Sequence, residues 1–316
     1  MLTDLIALAL YPLSSIIALA HPYKAGEFAD EFFKKRQTTT MKGIMILIVF
    51  FHHFSQICAP ETLTEYAYRI GQPCITFFFF LSGYTTYLGH SKMEKIDLKK
   101  LWIGRAWRLY LPVMIFSILF NNFLGGLLAF FVFTDLAFII FKKDIHRLAF
   151  ITFGNFLYFV FLIVIGAPNY WFDDILTYFV GAAFAIYKNQ AITFFESNVK
   201  YALCLIALIV LAIPSGYFGI NYRYYDLAIT VFSFVGCLIV VLLMMRLNIK
   251  SNIFHFIGNY TWEIFMFHQM FIILFNKVIY RNSIVLILSA VSTLGLSVAV
   301  HEGVIAIRKR VNENKK

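Results

Sequence analysis

Apolar runs of about bilayer length recur from one end of this 316-residue chain to the other, and little between them is long enough to fold by itself. They lie near Leu5–Ala20, Gly43–Cys58, Gly71–Leu88, Arg105–Phe120, Leu127–Phe141, Leu148–Ile165, Trp171–Tyr187, Tyr201–Ile213, Leu227–Met245, Ile257–Phe275 and Ile284–Ile307. A soluble fold must clothe its core in polar side chains. A chain that is 60% hydrophobic and 14% charged has too few of them. The apolar faces therefore meet lipid, and the predicted fold is all-α: a polytopic transmembrane bundle of about ten core helices with one additional N-terminal apolar segment.

Charge orients the bundle. If each run crosses once and the carboxyl terminus is cytoplasmic, 23 of the 27 Lys and Arg residues fall on cytoplasmic connections, leaving only Arg69, Arg223, Lys277 and Arg281 outside. The net charge of +10 thus reads as positive-inside topology. The basic residues are scattered over many loops instead of forming one stripe, so nucleic acid is not an expected partner, whereas membrane lipids are.

The predicted organisation is an N-terminal apolar segment and basic connector (1–40), one membrane domain (41–307) and a basic cytoplasmic tail (308–316). Ala18-Leu19-Ala20 has the look of a signal-peptidase site. The chain starts Met1-Leu2-Thr3-Asp4, however, where a signal peptide carries basic residues, so an uncleaved or interfacial segment is expected. The four cysteines show no metal-ligand spacing, and no metal is expected. They read as packing residues, with a Cys58–Cys74 disulfide as the alternative.

Ionisable side chains inside apolar runs are costly, so each asks for a partner or a function. In MKGIMILIVFFHHF (Met41–Phe54), Lys42 and His53 are eleven positions apart, which puts them about 20° from the same helix face and roughly 16 Å apart along the axis. A cation at the cytoplasmic mouth would thus share a face with a deep imidazole, a competent base near neutral pH. The competing reading is a histidine that only hydrogen-bonds another helix. In RAWRLYLP (Arg105–Pro112), Arg105 and Arg108 share a face, and guanidinium forks suit phosphate. Headgroup anchors beside Trp102 and Trp107 are the alternative.

GNYTWEIFMFHQ (Gly258–Gln269) carries Glu263 and His268, whose spacing of five sets them about 140° apart, so each needs a partner elsewhere. Coupling in a transporter would use them, and so would simple interhelical hydrogen bonds. Ser82 and Gly83 in FFFFLSGY (Phe77–Tyr84) read as close helix packing, and Asp135 as a buried hydrogen-bonding acid.

In order along the chain, these segments resemble the acyltransferase 3 family of integral membrane O-acyltransferases. MKGIMILIVFFHHF is similar to its first core helix, in which a basic residue and Gly precede a His. FFFFLSGY, RAWRLYLP, WFDDILTYFVGAAFA and IGNYTWEIFMFH resemble later segments, so the likeness runs from Met41 to about Ile307. Lys42 stands where Arg is usual, keeping the charge but losing the fork.

The resemblance implies transfer of an acyl group, often acetyl from acetyl-CoA, to a hydroxyl of a carbohydrate or other envelope component. It implies a multi-pass protein of the bacterial plasma membrane. On that reading His53 is the catalytic base, Lys42, Arg105 and Arg108 meet the phosphates of acyl-CoA, and Glu263 and His268 support the site. The rival expectation is a transporter or flippase for a lipid-linked sugar, which would favour broken helices in matching halves, and no such symmetry is visible.

Overall fold

A computed structural model of the chain describes residues 16, 18–24, 27–28, 32–58, 71–107, 123–167, 176–221 and 226–313. Among them are eleven helices: α1 Lys35–Cys58, α2 Gln72–Ser91, α3 Leu98–Arg105, α4 Phe123–Ile140, α5 Asp144–Val164, α6 Leu176–Phe195, α7 Asn198–Asn221, α8 Asp226–Arg246, α9 Asn252–Asn259, α10 Thr261–Val278 and α11 Asn282–Glu313. The all-α expectation holds, apart from a two-stranded ribbon of β1 (Ala20–Pro22) and β2 (Leu247–Ile249). Five described helices, α1, α5, α7, α8 and α11, have the length and composition to cross a membrane. Their outward faces are apolar: Val164, Val199, Ile213 and Val291 stand exposed, as lipid-facing side chains do. Most of the predicted Leu5–Ala20 and Arg105–Phe120 runs lie outside the described residues.

The chain divides into two compact units, Met1–Gly71 with Val241–Lys316, and Gln72–Val240. In the first, α1 packs on α9 and α10, and α10 packs on α11. Its entry is braced by the stretch read as a connector. β1 pairs antiparallel with β2, Tyr23 N donates to Arg246 O, and Phe28, Phe32 and Phe33 are buried. Gln37 ties these pieces together, accepting from Phe33 N and donating to Met244 O. A polar residue at the start of an apolar helix thus satisfies backbone groups that the membrane would leave bare.

The packing inside this unit turns on two glycines. A Cβ on Gly43 would lie 2.9 Å from Gly258 N and clash with Phe254 O, and a Cβ on Gly258 would lie 2.8 Å from the Thr39 carbonyl carbon. The backbones of α1 and α9 therefore touch where any side chain would hold them apart. In the second unit α2 crosses α6 in the same way. Gly83 sits on the Tyr178 backbone and Gly181 on that of Phe80, so the packing reading of Gly83 is borne out. Here α6 packs on α2 and α5, and α4 on α5 and α2.

Three boundaries differ from the sequence reading. The run Ile257–Phe275 is not one span: α9 ends at Asn259, Tyr260 has φ −106° and ψ 16°, and α10 starts at Thr261. Hydropathy is blind to such a break because both sides are apolar, while Gly258-Asn259 supplies a helix end. The Tyr201–Ile213 run continues as helix through Pro214 to Asn221. Pro214 removes one backbone donor, and Ser215 Oγ bonds Leu211 O beside it. The run ending at Tyr187 stops at a bend, where Tyr187 has φ −101° and ψ 15°, and helix resumes beyond it to Phe195. All four cysteines are thiols, which excludes the Cys58–Cys74 bridge.

Candidate functional site

Gly43 and Gly258 each precede a histidine by ten residues, His53 and His268. His53 lies about 15 Å along α1 from the crossing, and the path from Gly258 passes the break at Tyr260 before α10 carries His268 to the same level. The rings of His53 and His268 are 5.0 Å apart, centre to centre, and tilted by 42°. Sequence placed His53 and His268 in the same site without a reason for their meeting, and the glycine contact supplies it.

Around His53 the hydrogen bonds fix which nitrogen is bare. His53 Nδ1 lies 3.0 Å from Gln56 Oε1, and Gln56 Nε2 lies 3.1 Å from His52 Nε2. With the amide so oriented, Gln56 accepts the Nδ1 hydrogen of His53 and donates to His52. His53 then keeps its Nε2 lone pair, the form a general base requires. No described residue hydrogen-bonds that nitrogen. Gln56 was missed in the sequence, although its position three after His53 and four after His52 puts all three on neighbouring faces. His52 is the more buried of the pair, and Gly71 lies so close to its ring that a Cβ there would sit 2.7 Å from it.

His268 is 2% exposed. Its Nδ1 faces the carbonyl oxygens of Ile264 and Phe265 at 3.1 and 2.8 Å, so that nitrogen carries the hydrogen. Nε2 is left as a buried acceptor with no hydrogen-bond partner among the described residues. Glu263 finds its partner on another helix, as its spacing from His268 required: Oε1 lies 2.7 Å from His301 Nδ1. His301 also stacks edge-on against Tyr260, whose hydroxyl donates to Glu302. No periodicity connects His301 to Glu263, 38 positions away. Lys42, half-buried in α1, lies within electrostatic reach of Lys35 and Glu263.

The second unit holds a separate buried cluster. Arg105 NH1 and NH2 donate to Asp135 Oδ2 and Oδ1 at 2.6 and 3.0 Å, and His90 Nε2 donates to Asp135 Oδ1 at 2.7 Å. His90 Nδ1 is 2.8 Å from Thr86 O, so both ring nitrogens face acceptors. The Arg105 guanidinium also lies over the rings of Phe131 and Trp102. Asp135 is therefore the buried hydrogen-bonding acid expected, and Arg105 has two of its five N–H groups committed to it. Arg108 lies outside the described residues.

Residues 39–143 match the family model described as an acyltransferase domain. The match supports the acyltransferase 3 family. The acyltransferase match covers α1 to α4 and so contains Lys42, His53, Gln56, Arg105 and Asp135, while Glu263, His268 and His301 lie beyond it. Together with the apolar helices it supports a membrane acyltransferase. No curated protein and no solved structure matches the chain. Among the described residues no group of three or more His, Cys, Asp or Glu is arranged to hold a metal ion.

Proposed function

We propose that the protein moves an acyl group, acetyl in the simplest case, from acyl-CoA to a hydroxyl of a cell-envelope carbohydrate or related acceptor. The observation that carries this reading is His53: a half-buried imidazole inside the acyltransferase match, its Nδ1 hydrogen held by Gln56 and its Nε2 without a hydrogen-bond partner among the described residues. The acceptor hydroxyl gives its proton to Nε2 as its oxygen attacks the thioester carbonyl. The carbon–sulfur bond then breaks, and the departing CoA thiolate takes the proton back from the imidazolium. Gln56 Oε1 steadies the imidazolium while it exists. The resemblance implies Lys42, Arg105 and Arg108 for the phosphates of the donor. Glu263 and His268 support the site.

This reading carries a topology: about ten core helices in a bacterial plasma membrane, with the basic loops and the carboxyl terminus on the side that holds CoA. Full-length protein in lipid nanodiscs should cleave acetyl-CoA thioester in an acceptor-dependent way. His53→Ala should abolish that cleavage while inserting normally, and retained activity would remove His53 from the mechanism. Deleting the gene should remove one class of ester from the envelope glycans, and an unchanged ester inventory would exclude the proposed acceptor.

A further inference from the structure

In a membrane interior a buried acceptor without a donor is costly, because no bulk water is at hand to satisfy it. His268 Nε2 is such an atom. Its tautomer is fixed by two backbone carbonyls on the same helix, so the ring cannot turn over to present its hydrogen on the other side without giving up both. The ring stands 5.0 Å from that of His53, whose Nε2 is also bare. Phe50 and Phe265 pack around His268, so neither surrounding ring offers a hydrogen-bond donor. Two imidazoles with neighbouring rings, each keeping an acceptor nitrogen without a partner among the described residues, call for a ligand with two hydrogen-bond donors.

We infer that His53 and His268 together receive two hydroxyls of one acceptor molecule, so that the acceptor is a diol, as in a sugar ring, and His268 is a substrate-contacting specificity residue. The inference rests on His53 as the base of the proposed transfer. One hydroxyl meets His53 Nε2 and is the one acylated. The other donates to His268 Nε2 and is not consumed. The second contact fixes which hydroxyl of the pair faces the thioester, and a simple alcohol fills only half of the site.

Histidine-labelled full-length protein in nanodiscs tests this by nitrogen NMR, with cis-1,2-cyclohexanediol and cyclohexanol as probes at matched concentrations. The diol should shift the Nε2 signals of both His53 and His268, and the mono-alcohol that of His53 alone. The diol should bind up to about tenfold more tightly, as one further neutral hydrogen bond allows. His268→Phe should reduce diol binding to the level of the mono-alcohol. His268→Gln, which offers Oε1 as an acceptor, should restore the difference. A His268 signal unmoved by the diol, or equal binding of the two probes by the unmodified protein, overturns the inference. No thioester is cleaved in this experiment. A negative result leaves acyl transfer standing, and a protein that binds the diol but cleaves no acyl-CoA keeps the diol site and loses the transferase reading.

Discussion

Replacing Gly258 with Ala should cost activity out of proportion to the one methyl group added. The new Cβ would lie 2.8 Å from the Thr39 carbonyl carbon and nearer still to its oxygen, against an ordinary separation of about 3.5–4.0 Å. Neither neighbour is a flexible side chain, so α1 and α9 must part by roughly 1 Å. Because His53 and His268 lie ten residues along from the contacting glycines, the displacement reaches both rings. A misplacement of about 1 Å at a reacting centre is worth about 100-fold in rate, and that is the expected loss. The assay is acceptor-dependent thioester cleavage by purified protein in nanodiscs, with solubility and thermal unfolding recorded beside it. Gly303→Ala is the control, since a Cβ there meets nothing within 4 Å. Gly43→Ala should behave like Gly258→Ala, and the double variant should fall well short of the product of the two losses, because one crossing is opened either way. Wild-type turnover by a folded Gly258→Ala protein would refute the claim that the crossing sets the spacing of the histidines.

Gln56→Leu keeps the shape of the side chain but removes the acceptor for His53 Nδ1–H, and should lower turnover by about 10- to 100-fold with little change in acyl-CoA binding; an unchanged rate would show that the ring orients itself without it. Asp135→Leu strips the shared acceptor from Arg105 and His90 and should destabilise the second unit by about 3–5 kcal/mol, read as earlier thermal unfolding. A reducing agent should leave the unfolding curve where it was, since all four cysteines are thiols, and a downward shift would reveal a bridge.

Much of the fold was legible because a lipid solvent enforces a simple rule: long apolar runs become helices. Gly43–Cys58, Leu148–Ile165 and Leu227–Met245 coincide with helices that differ from them by a few residues at their ends, α1 by eight at its start. What the rule misses is a change of direction within an apolar stretch. Tyr260 splits α9 from α10, and its neighbours are as apolar on one side as on the other. Pro214 shows the converse, a residue that reads as a stop but is carried inside a helix.

The site was legible to a smaller degree, and unevenly. Helical phase could relate Lys42 to His53, and could say that Glu263 and His268 must each look elsewhere, because both statements concern one helix. It could not say where: Glu263 reaches His301 across 38 positions, and Asp135 gathers Arg105 and His90 from 30 and 45 positions away. The equal intervals from Gly43 to His53 and from Gly258 to His268 are the exception. An interval shared by two segments becomes a statement about contact once one end of each is known to touch the other, and a glycine is the residue that permits such a touch. Paired Gly-to-His intervals thus hold tertiary information in plain view. Reading it needed only the backbone crossing, which hydropathy and helical phase do not supply.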